Sequence, residues 1–417
     1  GGFSYWRTVS EPPEGPNVNV HFVWGLMGSD ETGDGSLENP YETIGHAVNI
    51  MENDDMVAVG PGNYNENILV TDKSGMLVSF SGPDSTFING NGGQILSSQN
   101  GFWMIDGFTF TNGSAVDGGA VLSVNGGLMV GRSIFAGNNA ENNGGAVAAI
   151  HSNVFMDSVM FIQNNANNDG AALFVENSVQ NPDGQWFVAL GNTMMAQNNS
   201  GSQGAGLYIR AIDEGNTFAD LFNINVRNNF AVTESGVRLN GNVQANFYEC
   251  YFVGNQATDY AAAGGFGGGS NVILDRCVIA DNQANLGNSG GFSVWNGSNA
   301  NFYSCTFTNN SAEYGSALTV GGGSYASVDA SIVWNNPGDN ALASVQWDEN
   351  GSQLDVFQSV VQDGENGIYS DDLSYVYQDG VIDIDPLFCD PENGDFSIDM
   401  NSGAITPWGE PMGALGY

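Results

Sequence analysis

Apolar residues along this chain alternate with polar ones in short bursts. Ala245 and Phe247, Val272 and Leu274, Ala300 and Phe302, and Ala326 and Val328 each form an i, i+2 pair, the period of a strand with one buried face. Cys250 stands three residues beyond Phe247, so the inward face changes register there and the chain turns a corner. A second short strand follows in the frame Cys250, Phe252, then a turn at Asn255 and an inward Ala257. The frame returns as Cys277, Ile279, Asn282, Ala284 and as Cys305, Phe307, Asn310, Ala312; with Ser or Val in place of Cys it fits Ser133, Phe135, Asn138 and Val159, Phe161, Asn164. A third strand follows Gly118-Gly119-Ala120-Val121, Gly144-Gly145-Ala146-Val147 and Gly170-Ala171-Ala172-Leu173. The asparagines at 138, 164, 198, 229, 255, 282, 310 and 336 are spaced by 26, 34, 31, 26, 27, 28 and 26. A repeat of this kind denotes a solenoid with variable loops.

Three short strands and three corners per repeat predict an all-β fold, a right-handed parallel β-helix solenoid of about a dozen coils. Coils stacking at about 4.8 Å satisfy one another's backbone groups and give a rod about 55–60 Å long. Like residues then stack on like, so Asn255, Asn282 and Asn310 are expected to form a ladder at the turns and Cys250, Cys277 and Cys305 an inward column of free thiols. Ile44, Ala47, Val48 and Met51 lie at helical spacing, predicting a short N-terminal capping helix within a cap at about 33–55. Residues 1–20 read as a strand arm and linker, residues 21–417 as the β-helix domain, with degenerate C-terminal coils at about 340–417.

Charge narrows the partners. With 46 acidic residues against 7 basic the formal net charge is −39, which repels nucleic acid and anionic membrane, since both require lysine and arginine to displace counterions. No stretch approaches the roughly 20 apolar residues that span a bilayer, so direct membrane insertion is not expected. The opening Gly1-Gly2-Phe3 suggests a processed start, and low lysine with high asparagine, glycine and acidity suggests an extracellular or cell-surface location. Four cysteines in 417 residues do not make a disulfide scaffold.

The run from Gly33 to Ile50 with Val57 to Asn67 resembles the entry of pectate-lyase-like right-handed β-helix proteins. The Gly-Gly-Ala and Phe-x-x-Asn frames are similar to repeats of chlamydial polymorphic outer membrane proteins, and the tail from Asp385 to Gly394 with Met412 to Gly416 resembles the end of secreted bacterial β-helix proteins. The resemblance implies the fold; that fold hosts lyases, hydrolases, adhesins and tailspikes, so it implies no single activity.

Candidate chemistry is sparse. A lyase needs a basic proton acceptor, and the cations are Arg7, Arg132, Arg210, Arg227, Arg238, Arg276 and Lys73, expected to pair with the acidic wall. His21, His46 and His151 are not flanked by glycine on both sides, against the pattern of polygalacturonase-like hydrolases. Asp117, Asn143 and Asp169 precede the glycine turns at equal spacing and should stack along one edge, two coils separating the aspartates by about 9–10 Å, near the outer limit for an inverting acid–base pair; turn chemistry alone also places Asp and Asn there. Asp30 and Asp34, with Asp383, Asp385 and Asp390, offer the hard oxygens calcium prefers, making calcium the one cofactor the sequence admits; none is required. The tryptophans share no repeat position, and scattered packing or loop roles are expected for Trp24, Trp103, Trp186, Trp295, Trp334 and Trp347.

These readings converge on a non-enzymatic structural or adhesive secreted protein, a subunit of an extracellular fibre that self-associates head to tail. Its assembly segment is the apolar arm Phe3, Tyr5, Trp6 and Val9, carried by the extended linker Glu11 to Pro16 and donated to an open sheet edge. The alternative is a polysaccharide-binding or polysaccharide-degrading β-helix protein whose partner is a surface polysaccharide.

Overall fold

The computed structural model describes residues 18–178, 185–212, 216–345 and 351–416; Phe3, Tyr5, Trp6 and Val9 lie outside them. Each coil visits three long sheets in turn. Val243–Tyr248 belongs to sheet 1, of 14 strands; Tyr251–Val253 belongs to sheet 2, of 12; Gly264–Gly267 belongs to sheet 3, also of 12. The next strand, Asn271–Asp275, returns to sheet 1 beside the first, pairing Ala245 with Val272 and Phe247 with Leu274 in parallel. Two-residue strands such as Gln256–Ala257 add a 7-stranded ladder between sheets 2 and 3. The architecture is an all-β parallel solenoid of about 12 turns, as the sequence predicts.

Identical frame positions stack, and this builds the core. Phe110, Phe135 and Phe161 lie ring on ring, centroids 4.8 and 5.0 Å apart and within 11° of parallel. Met195, Val226, Phe252, Ile279 and Phe307 continue that buried column. Cys250, Cys277 and Cys305 are free and fully buried, each Sγ about 3.5 Å from a carbonyl of the preceding coil. Burial pushes the Cys250 and Cys277 thiols well up, so neither forms the thiolate that reacts. Alkylation of the native protein followed by mass spectrometry is therefore expected to label the exposed Cys389 and to reach the three buried thiols only after unfolding. A Cys250–Cys277 or Cys277–Cys305 crosslink would contradict this.

The asparagine ladder lies in the buried turn after sheet 2. Each side-chain oxygen accepts both the backbone N–H and the Nδ2 of the asparagine one coil back: Asn282 Oδ1 takes Asn255 N and Nδ2 at 3.0 Å, and Asn310 Oδ1 takes those of Asn282 at 3.3 and 2.8 Å. The same pair of bonds links Asn138, Asn164, Asn198 and Asn229. The corner between sheets 1 and 2 turns through a left-handed residue that in most coils is not glycine. Ser158, Asn192, Asn223, Glu249, Arg276 and Ser304 all hold positive φ there. Ladder bonds from the adjacent coil, such as Glu249 N to Asp275 O and Arg276 N to Tyr303 O at 3.0 Å, over-determine the backbone and offset the cost of a left-handed non-glycine residue.

The N-terminal end is covered. The helix Ile44–Ile50 is capped by Thr43, whose Oγ1 accepts His46 N at 3.2 Å, and by the Glu66 carboxylate, which accepts Ile44 N at 2.9 Å and Gly45 N at 2.6 Å. Its Ile44, Ala47 and Val48 pack onto the first coil. Nearby, Asp55 accepts Asn19 N and Glu52 N and pairs with His21 Nε2 at 3.0 Å. Burial raises this carboxyl, but the hydrogen bonds from His21, Glu52 and Asn19 outweigh it and leave it below the ordinary value. A carboxyl lowered in the fold stabilises above its unfolded pKa, and that contribution is lost as pH falls through the folded pKa. Acidification below about pH 4 is thus expected to loosen the N-terminal coils first, and Asp55→Asn to flatten that dependence; hydrogen exchange of residues 19–60 at pH 3 and pH 5 checks it.

Coils continue to Tyr375–Asp379 in sheet 1. Beyond them the tail folds back over the outer face of sheet 2. Phe396 and Ala414 cover Val278 and Ala280, and Ile398, Ala404 and Met412 cover Ile332 and Val360.

Candidate functional site

The column Asp117, Asn143, Asp169 does stack, at the corner entering sheet 3. Asp117 Oδ1 accepts Asn143 N at 3.0 Å, and Asn143 Oδ1 accepts Asp169 N at 3.3 Å. The column continues through Gln203, Thr233, Tyr260, Asn288 and Tyr314, each followed by a residue of positive φ: Gly118, Gly144, Gly170, Gly204, Glu234, Ala261, Ser289 and Gly315. Asp117 acts as a turn brace. Burial pushes the Asp169 carboxyl up, and its Oδ1 has no partner.

Beside this corner runs an outward row of sheet 3: Ala148, Phe174, Tyr208, Arg238, Gly265, Ser293 and Thr319. Three neighbouring coils depart from the repeat together. Glu234 replaces glycine at the left-handed position, at φ 43°, and is fully buried. Gly265 supplies no side chain to a row otherwise filled; a Cβ there would lie 2.5 Å from the Trp295 ring and 2.7 Å from Glu234 Cγ. Trp295 thus lies over the strand Gly264–Gly267, where a Cβ on Gly267 would also meet its ring at 2.9 Å.

Buried charge holds that ring. The Arg238 guanidinium sits 4.2 Å from the Trp295 ring centroid, a cation–π distance. Its Nη1 lies 3.5 Å from Glu234 Oε1, with the Arg238 and Glu234 side chains 8% and 1% exposed. Glu234 also accepts from the Thr233 hydroxyl. Burial pushes the Glu234 carboxyl up and the nearby Asp169 adds to this, while Arg238 and Thr233 oppose it.

Above this support opens a cleft of about 340 Å³ lined by Tyr260, Gly287, Asn288, Ser293, Trp295 and Tyr314. Ser293 is 1% exposed, and its Oγ has no hydrogen-bond partner. The buried Ser289 Oγ beside the cleft is likewise unpartnered. Three aromatic rings with neutral hydroxyl and amide groups between them suit a ligand with flat apolar faces and many hydroxyls. Tyr260 and Tyr314 stand two coils apart, about 9–10 Å by the stacking rise.

Apart from Arg238, the described cations lie away from the cleft and have local partners. Arg132 pairs with Asp106, Arg210 with Glu176 and Arg276 with Glu249. Lys73 Nζ donates to the carbonyls of Val48 and Asn49, and Arg227 to Met194 Sδ. Of the calcium candidates, Asp30 accepts Glu42 N, Thr43 N and Thr43 Oγ1, Asp34 accepts Ser36 N, Asp383 accepts Asp363 N, Asp385 accepts Leu387 N and Asp390 accepts Asn393 Nδ2. Among the described residues no three His, Cys, Asp or Glu side chains converge as a metal site requires.

Sequence reasoning missed the cleft. Trp103 and Trp186 fit the expected packing roles, their indole N–H groups donating to Lys73 O and Ser178 O. Trp295 lies in the loop after Phe292–Val294 with its ring packed on Gly265, Gly267 and Arg238, and the same ring also walls the cleft. The available signal was the joint departure of Glu234 and Gly265 from their columns, visible only once the coils are aligned position by position.

No family model matches the chain, and no curated protein matches it. Among solved structures it is similar to XylC in complex with xylose (9% identity, 89% of this chain and 87% of that one, TM-score 0.48). It is also similar to the GH136 lacto-N-biosidase from Eubacterium ramulus (9%, 88% and 68%, 0.40) and to pectate lyase Pel9A (12%, 96% and 97%, 0.34). Likenesses of this size carry no information about a substrate.

Proposed function

We propose that this protein binds polysaccharide through the cleft on sheet 3 and works outside the cell as a binding rod. One observation carries the reading: Trp295 is clamped between a glycine strand and a buried arginine so that it walls a cleft shared with Tyr260, Tyr314 and the unpartnered Ser293 hydroxyl. Sugar rings present apolar C–H faces to aromatic side chains, and their hydroxyls satisfy buried polar groups that would otherwise remain costly. Binding is favoured over cleavage because the cleft lining contains no carboxylate; Glu234 lies beneath it. We place this reading ahead of the fibre subunit because a cleft of this chemistry stands among the described residues. Titration of soluble oligosaccharides and affinity electrophoresis in polysaccharide gels test it. Trp295→Ala is expected to weaken binding at least about tenfold, the effect of losing about 1.4 kcal/mol of stacking and burial, with Trp295→Phe retaining most of it. Equal affinity in Trp295→Ala, or no saccharide bound by the intact chain, would refute the proposal.

A further inference from the structure

We infer that the saccharide this cleft accepts is neutral, free of carboxylate and sulfate, and is gripped over one or two rings; the inference rests on the carbohydrate reading above. The lining groups are phenol, indole, amide, hydroxyl and backbone. None carries a charge to offset an anion, and an anion desolvated without a partner is strongly disfavoured. Arg238 lies nearest, but it is 7% exposed, stacked on Trp295 and turned to Glu234. Its Nη1 pairs with Glu234 Oε1 at 3.5 Å, so its charge is met beneath the ring. Arg210 is bound to Glu176 and lies 5.5 Å from the Phe174 ring centroid. Beyond the cleft, the net charge of −39 repels a polyanionic chain before contact.

Size and the unpartnered hydroxyl complete the description. A volume of about 340 Å³ sits at the lower end of ligand pockets and matches a mono- or disaccharide unit better than a long buried segment. Tyr260 and Tyr314, about 9–10 Å apart by the stacking rise, bracket that length with Ser293 at the floor. Ser293 Oγ has no protein partner, so it is a group that a ligand hydroxyl can satisfy.

Calorimetric titration of the full chain with oligosaccharides of two to four rings tests this, at low salt and at several times physiological salt. One arm uses neutral gluco-, xylo-, manno- and galacto-oligosaccharides; the other uses oligogalacturonates and sulfated oligosaccharides of matched length. The expected result is that a neutral series binds with an affinity little changed by salt, and that its charged counterpart binds at least tenfold more weakly. Ser293→Ala is expected to weaken neutral binding about three- to tenfold without lowering the thermal midpoint of the free protein. Binding of the charged series, weakening as salt rises, would overturn the neutral assignment and leave the carbohydrate reading standing. Unchanged affinity in Ser293→Ala would overturn the placement of the ligand at this floor. Binding in neither arm would overturn the carbohydrate reading itself, and this inference with it.

Discussion

Asn282→Ala is expected to lower stability by about 3 kcal/mol or more, because it strips partners from several buried groups at once. Asn255 N and Asn255 Nδ2 both lose Asn282 Oδ1, and Phe252 O loses the Nδ2 that donates to it at 2.8 Å. Asn310 Oδ1 loses the Asn282 Nδ2 as well and keeps only the backbone N–H of residue 282. The position is fully buried, so water cannot replace the amide, and each orphaned group costs about 1–3 kcal/mol. Urea unfolding gives the total. Hydrogen exchange should locate the loss in coils 255–310, since a solenoid's coils depend on their nearest neighbours. The control is Asn299→Ala, whose amide bonds Asn271 on the solvent side and should cost under about 0.5 kcal/mol. A loss below about 1 kcal/mol in Asn282→Ala would show that the ladder is not a stabilising element.

Glu234→Ala is expected to cost about 3–5 kcal/mol, the usual penalty for leaving one member of a buried ion pair without the other. Arg238 would remain 8% exposed at its side chain with no carboxylate beside it. The double variant Glu234→Gly with Arg238→Tyr copies the preceding coil, which carries Gly204 and Tyr208 at the same positions. It should recover most of that stability, because apolar replacement of a buried pair is often neutral or better. It should nevertheless lose saccharide affinity, because Trp295 would lack the cation that holds its ring. Recovery of both stability and binding would show that the pair has no part in the cleft. The pH dependence follows from the same burial. Glu234 and Asp169 are both raised in the fold, so the native state keeps protons that the unfolded chain has released. Their contribution to stability therefore falls as pH rises from the ordinary carboxylate range through their raised values. Thermal midpoints across pH 4–7 should show a smaller decline in the double variant than in the parent chain.

Much of the solenoid was legible in the sequence because each coil writes the same local rule. Asn255, Asn282 and Asn310 recur at one frame position, and Ala245 with Phe247 declares an inward face by its spacing; stacking then converts a repeat into a ladder. The helix Ile44–Ile50 was equally readable, since its apolar spacing and its Thr43 cap lie within a few residues. The left-handed corners were not. Nothing in Glu249 or Arg276 announces a positive φ, which is imposed by backbone bonds from the next coil.

What the sequence by itself determined is the winding: period, inward rows, ladders and the acidity that excludes polyanionic partners. What only the tertiary structure decided is the site. Glu234, Gly265 and Trp295 follow one another at intervals of 31 and 30 residues in the chain, each looking like an ordinary substitution in a variable loop or strand. Stacking brings them to neighbouring coils, where the missing side chain of Gly265 makes room for the indole of Trp295 and the carboxylate of Glu234 holds the arginine beneath it. The repeat is legible because its information is local and periodic. The cleft is not, because it arises where three breaks in that period coincide in space.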